Sequence, residues 1–249
     1  MGVKKNIKKA INELIPGRFK LFLNNQAFDK PTNHYKKYIN LSFSQEGEDL
    51  ILHRIIKRKN AGFYVDIGAH HPFRYSNTYK FYRLGWRGIN LDPLPGSMEL
   101  FRKYRPNDIN LEIPISNLNG ELVYYMFDEP ALNSFDKKNA LKFDTETKYK
   151  IINRLNIKTE KLKDILALHL PANTEIDFFS IDVEGLDYSV LLSNDWELYR
   201  PSYIIAESLS TNLAKDMDSD ISKFLSEKNY QLIAKTFNSL IYANNEIKN

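Results

Sequence analysis

The chain has 249 residues, 43% of them hydrophobic and 27% charged, enough for one α/β domain with a substantial core and unlike a disordered or fibrous protein. It contains no cysteine, which excludes disulfides, thiolate-bound zinc, iron–sulfur clusters and cysteine nucleophiles, and favours a cytoplasmic location. The formal charge of +4 is uneven: residues 1–40 hold nine basic and two acidic residues, a net +7, which leaves −3 on the rest.

Within the basic segment, Val3, Ile7, Ala10, Ile11, Leu14 and Ile15 recur at helical spacing with lysines between them, and Pro16-Gly17 follows. This predicts an amphipathic helical arm over residues 1–40 that packs on the domain or on a second copy of the chain as a homo-oligomer, or rests peripherally on anionic lipid at a membrane surface. The basic excess lacks regularly interleaved aromatics, so nucleic acid is not an expected partner. No run approaches the roughly 20 apolar residues of a membrane span. Asn12, Glu13 and Pro16 also interrupt the N-terminal run before it resembles a signal-peptide core.

From residue 41 to 249, short β-rich runs alternate with helical segments, the pattern of a mostly parallel α/β sheet. A helix from about Glu46 to Lys59 precedes a strand over 63–67. A helix near 77–84 leads to a second strand over 88–92, and a helix near 97–104 to a third over 109–115. Residues 120–128 suit an added strand, whereas 129–160 show no single period and are expected to form an insertion at an acceptor site. The regular pattern resumes with a helix at 161–169, a strand at 177–181, a helix at 186–193 and a strand at 203–206. A helix over 221–229 and two β-rich runs, 230–237 and 240–243, then suit a C-terminal antiparallel hairpin on the sheet.

The first strand runs into Val65-Asp66-Ile67-Gly68-Ala69-His70-His71-Pro72. Ligands of open α/β sheets sit at the carboxyl ends of strands, so this glycine turn is the default cofactor position, where Gly68 lets the backbone come close to a ligand. The Gly-x-Gly-x-x-Gly spacing that accommodates a dinucleotide pyrophosphate is missing, which disfavours nicotinamide and flavin enzymes. S-adenosylmethionine has no phosphate and does not need that room. The second strand ends in Leu91-Asp92-Pro93, where Asp92 is placed to accept the hydroxyl protons of an adenosine ribose or to cap the turn. The later strands end in Ser180-Ile181-Asp182-Val183-Glu184-Gly185 and Ile205-Ala206-Glu207. Carboxylates gathered at one sheet edge repel unless a cation or a shared proton compensates, although a plain helix-start role also suits Glu184.

These residues together resemble the FkbM-type S-adenosylmethionine-dependent methyltransferases. The match runs in order through Phe43-Ser44-Gln45-Glu46-Gly47-Glu48-Asp49, Val65 to Ala69, Asn90 to Pro93 and Ile181 to Gly185. The resemblance implies a Rossmann-like methyltransferase sheet and methylation of a sugar hydroxyl, on a nucleotide-sugar or a bacterial surface polysaccharide. It also implies that Asp66, Gly68 and Ala69 line the methionine part of the cofactor, that Asp92 and Pro93 lie at the ribose, and that Ser44, Gln45 and Glu48 lie close by. Ser76 and Asn77, at an expected helix start, suit the cofactor carboxylate, and Ser116 with Asn117 is expected beside the adenine. The departure is His70-His71-Pro72, where the family often has asparagine and a second glycine.

Methyl transfer requires an aligned acceptor oxygen and removal of its proton. Asp182, Glu184, His70 and His71 are candidate bases, with Glu207 expected to converge on Asp182. Alternatively, Asp182 and Glu207 suit a divalent cation, Mg²⁺ or Mn²⁺. Methylation of a nitrogen or of a phosphoramidate-like group, or a non-catalytic sugar- or nucleotide-binding module, would use the same scaffold.

Overall fold

The computed structural model describes residues 38–56, 59–118 and 120–246, and the described residues from Ser42 onward form one compact unit. The expected arm helix lies outside the described residues. Strand β1 (Phe63–Ile67) is buried along its whole length, as an apolar strand covered on both faces should be. Its side chains alternate. Val65 and Ile67 pack in one cluster with Phe179, Ile204, Leu166, Val190 and Leu225, while Tyr64 packs in another with Phe178, Phe81, Trp86 and Leu52. Two helical layers therefore sandwich one sheet.

In chain order the described elements begin with α1 (Glu48–Ile55), β1, α2 (Tyr79–Arg83), β2 (Arg87–Leu91), α3 (Met98–Tyr104) and β3 (Ile109–Leu111). A hairpin unit follows: β4 (Gly120–Phe127), a 3₁₀ turn, α4 (Lys137–Glu146) and β5 (Ile151–Thr159). The sheet resumes with α5 (Leu162–His169), β6 (Phe178–Ile181), α6 (Asp187–Leu192), β7 (Tyr203–Glu207), α7 (Leu213–Met217), α8 (Asp220–Glu227), β8 (Tyr230–Lys235) and β9 (Ser239–Asn244). The seven-stranded order is β3-β2-β1-β6-β7-β9-β8. Strands β1, β2, β3, β6 and β7 are parallel, and β9 enters antiparallel between β7 and β8. This is the Rossmann-like sheet with a C-terminal antiparallel hairpin. The chain winds outward one way from β1 and the other way from β6, so the crevice between those strands is the switch point at which such sheets bind ligands.

The structure corrects one expectation and adds two details. The third strand ends at Leu111 instead of residue 115: Pro114 has no N–H for a ladder, and Ile115 bridges to Glu160 instead. Residues 129–160 are ordered, with β5 pairing against β4 from Gly120↔Thr159 to Phe127↔Ile151 and α4 capped by Asp136, which accepts from the Lys138 and Asn139 N–H groups. This unit has a small core of Tyr125, Phe127 and Ala140. Helix α7 has no counterpart in the expected elements; its start is set by Asn212, whose side chain accepts from Ala214 and Lys215 N–H groups. Among the described residues no helix is long and apolar enough to cross a membrane.

Candidate functional site

A cavity of about 310 Å³ opens at the strand ends, bounded by the sheet and by the β4–β5 unit. Its walls bring together Asp66, Gly68, Ala69 and His70 after β1, Tyr75 to Asn77, Asp92 and Pro93 after β2, and Ile113 to Ile115 after β3. Asp182 and Glu184 follow β6, Glu207 ends β7, and Gln45 and Asn238 close one side. The β4–β5 unit contributes Tyr124, Leu132, Asn133, Phe135 and Phe143.

Gly68 has φ +84, and a Cβ there would fall 1.7 Å from the Asp182 carbonyl oxygen. The glycine is thus demanded by the close approach of the two strand ends that form the floor, with Asp182 donating its N–H to Ile67 O at 3.0 Å, and the space at the missing Cβ is not left for a ligand. Asp92 lines the cavity and also holds the turn, accepting from the His70 N–H (2.9 Å) and the Leu94 N–H (2.8 Å). Burial pushes its carboxyl up, against those two hydrogen bonds. Each oxygen retains acceptor capacity for a ligand hydroxyl.

Behind Asp66 lies a buried network that the sequence pattern does not reveal. Thr78 Oγ1 donates to Asp66 Oδ2 at 2.5 Å, and the Arg105 guanidinium donates to Thr78 Oγ1 (3.0 Å), Tyr64 Oη (2.7 Å) and, through Nε, Asp108 Oδ2 (2.9 Å). The side chains of Arg105 and Asp108 are fully buried. Burial raises the Asp66 carboxyl, and Arg105 opposes the rise.

Across the floor, Asp182, Glu184 and Glu207 each bring a carboxylate oxygen within 4.8 Å of the others. Asp182 is open to the cavity, yet protein surrounds its carboxyl on the remaining sides and sets its electrostatics. All three are pushed up, first by burial and then by neighbouring carboxylates. The three carboxyls therefore hold protons more tightly than isolated carboxyls would. Asp187, absent from the expected set, is buried beside them, and burial and Asp182 push it up to about 7. Position within an apparent helix start concealed it.

Several expected residues play other parts. Ser44 accepts from the Gly47 and Asp49 N–H groups at the start of α1, and Glu48 is buried with Oε1 accepting from Thr236 and Ser239; neither lines the cavity. Ser116 is fully buried and pairs with Ser189 at 2.8 Å, so the wall expected of it is supplied by Ile113, Pro114 and Ile115. His71 Nδ1 accepts from the Phe73 and Arg74 N–H groups and stabilises its own turn, outside the cavity lining. His70 does line the cavity, and its Nε2 is buried without a hydrogen-bond partner. Burial, with Arg74 and His71 adding, lowers its pKa. Ser76 and Asn77 stand on the wall, with Ser76 N–H donating to Phe43 O and Asn77 Nδ2 to Ser180 Oγ. The β4–β5 residues Tyr124 and Asn133 went unanticipated because no motif marks them.

No curated protein matches the chain. Among solved structures it is similar to the C-terminal domain of precorrin-6Y C5,15-methyltransferase from Rhodobacter capsulatus, at 12% identity over 79% of this chain and 86% of that one, TM-score 0.40. The Geobacter metallireducens precorrin-6y C5,15-methyltransferase gives 11% identity over 78% and 86%, TM-score 0.42. The 1,6-didemethyltoxoflavin-N1-methyltransferase of Burkholderia thailandensis, solved with S-adenosylhomocysteine, gives 11% over 92% and 88%, TM-score 0.39. Similarity this distant says nothing of substrate. The model of the methyltransferase FkbM domain matches residues 66–232, more than half of the sequence, and the chain belongs to that methyltransferase family.

Proposed function

We propose that the protein transfers a methyl group from S-adenosylmethionine to a hydroxyl of an uncharged, sugar-like acceptor. The observation that carries this reading is the convergence of Asp182, Glu184 and Glu207 within 4.8 Å, on the cavity floor next to the β1 turn. The cavity residues fit the donor: Asp92 would accept from the ribose, the Ile113–Ile115 wall and Pro93 would flank the base, and Asp66 would face the methionine ammonium. Bound there, the donor supplies an electrophilic methyl group on a sulfonium.

The chain's own task is to orient the acceptor oxygen and take its proton. Asp182, open to the cavity and flanked by two further carboxylates, is the base in this reading, and Glu184 and Glu207 accept hydrogen bonds from the acceptor's other hydroxyls. The raised affinity of the cluster for protons suits a base that works near neutral pH. Among the described lining residues there are five carboxylates, Asp66, Asp92, Asp182, Glu184 and Glu207, and no lysine or arginine. That balance favours the hydroxyls of a glycan over the pyrophosphate of a nucleotide-sugar. The same three-carboxylate spacing also suits a hard divalent cation that would hold and acidify the hydroxyl, the second reading.

The test is incubation with isotopically labelled methyl donor and parallel panels of neutral saccharides and nucleotide-sugars, with and without chelator, followed by mass spectrometry. Label on neutral saccharides supports the reading. Label confined to nucleotide-sugars or to amines overturns the acceptor assignment, and activity abolished by chelator and restored by Mg²⁺ replaces the direct base with the cation.

A further inference from the structure

Among the described residues five non-glycine positions have left-handed backbone: His70 (φ 52), Tyr75 (φ 57), Asn173, Glu184 (φ 49) and Asn229. Asparagine tolerates this region; a bulky aromatic does not. The three that are not asparagine all line the cavity, on two separate loops. Strained backbone gathered at one ligand chamber is a mark of side chains held for contact with a ligand.

Tyr75 is the least explicable of the three on packing grounds. The residue is 49% exposed, so only part of its surface gains burial, and glycine or asparagine would sit there with less strain. The backbone on either side is fixed: Arg74 N–H donates to His71 Nδ1 at 3.1 Å, Arg74 pairs with Glu129 of the β4–β5 unit at 3.2 Å, and Ser76 N–H donates to Phe43 O at 3.0 Å. The Arg74 guanidinium lies 4.7 Å from the centre of the Tyr75 ring and steadies one face of it. Arg74 also hydrogen-bonds the Tyr75 side chain, so the ring is held at the cavity wall.

We propose that Tyr75 is an acceptor-binding, specificity-determining residue whose ring stacks on the apolar C–H face of the sugar while the carboxylates on the floor take its hydroxyls. This rests on the sugar-hydroxyl reading. An aromatic platform and a set of carboxylate acceptors together match a ring that is apolar on its faces and rich in hydroxyl donors at its edge.

Saturation-transfer NMR on the full chain with S-adenosylhomocysteine, using millimolar methyl glycosides of glucose, galactose, mannose and N-acetylglucosamine as probes, tests the assignment. The wild type gives saccharide signals strongest at ring C–H protons. Tyr75→Gly and Tyr75→Asn bind the same glycosides roughly tenfold more weakly, the loss of one aromatic contact. Both keep the wild-type affinity for S-adenosylhomocysteine and melt at or above the wild-type temperature, and Tyr75→Phe behaves as wild type. Saccharide signals retained in the Gly and Asn variants, or a marked drop in their melting temperature, overturn the role of Tyr75 alone. A wild type that binds no glycoside overturns the sugar reading itself.

Discussion

Replacing Arg105 with methionine tests the network behind Asp66. Methionine fills much of the same volume but leaves the Asp108 carboxylate without its cation, in a place where both side chains are fully buried. Breaking a buried pair by removing one partner costs about 3–5 kcal/mol. Asp108 keeps three hydrogen bonds, from Tyr64 Oη (2.7 Å), the Gly88 N–H (3.0 Å) and Asn90 Nδ2 (3.1 Å), which places the expected loss at the lower end, about 3 kcal/mol. For a domain of this size that is a fall in Tm of about 6–12 °C. Urea unfolding of Arg105→Met, Asp108→Asn and the double variant forms a double-mutant cycle in which the double variant recovers part of the loss, because the orphaned charge is gone. A single-variant loss under about 1 kcal/mol, or strict additivity, refutes the view that this pair is electrostatically coupled. With Arg105 gone, Asp66 also loses the cation that opposes its rise, so donor binding in the variant weakens more steeply below neutral pH than in the wild type.

Asp92→Ala is expected to weaken S-adenosylhomocysteine binding by about 1.5–3 kcal/mol for each ribose hydrogen bond lost, read by calorimetry; unchanged affinity removes Asp92 from the donor site. Asp182→Asn is expected to abolish methyl transfer in a labelled-donor assay while donor binding persists, and near-normal turnover moves the base to Glu184, Glu207 or His70. Asp187→Asn is expected to raise Tm at pH 8 and leave it nearly unchanged at pH 4, with chelator present throughout. Its folded pKa of about 7 stands above the ordinary 3.8, so the native state holds the extra proton, and stability falls as pH rises between those values. An equal shift at both pH values would show that charge is not the cause.

The strands that carry the site were legible because their signals are local. Phe63–Ile67 is a β-rich run broken only by Asp66 and closed by Gly68, and its expected and observed bounds coincide. The convergence of Asp182 with Glu207 followed from strand-end placement alone, since β6 and β7 are neighbours. What the sequence concealed depends on groups distant along the chain. Thr78 donates to Asp66 and is itself held by Arg105 from a different loop, and nothing in their spacing announces it. Ser116 was misread because a hydroxyl after a strand looks available until the distant Ser189 is known to hold it. In the β4–β5 unit the period was obscured by Ile152, an apolar residue that is 65% exposed, and by α4, whose face toward the hairpin buries only Ala140.

Strand β9 is made after β8 yet sits between β8 and β7. As the chain leaves the ribosome, β7 must therefore wait with an open edge until Ser239–Asn244 emerges, and β8 has no place in the sheet before then. At synthesis rates of about 5–20 residues per second, the delay between β7 and β9 is on the order of seconds. During that interval Ile204, Ile205 and Ala206, all buried in the finished sheet, stand beside an unpaired row of backbone groups, the circumstance in which nascent chains associate with one another. The closing hairpin also delivers the hydroxyls of Thr236 and Ser239 to Glu48, joining α1 to the last strand. Assembly of the two ends of this unit is thus a single late event in the life of the chain.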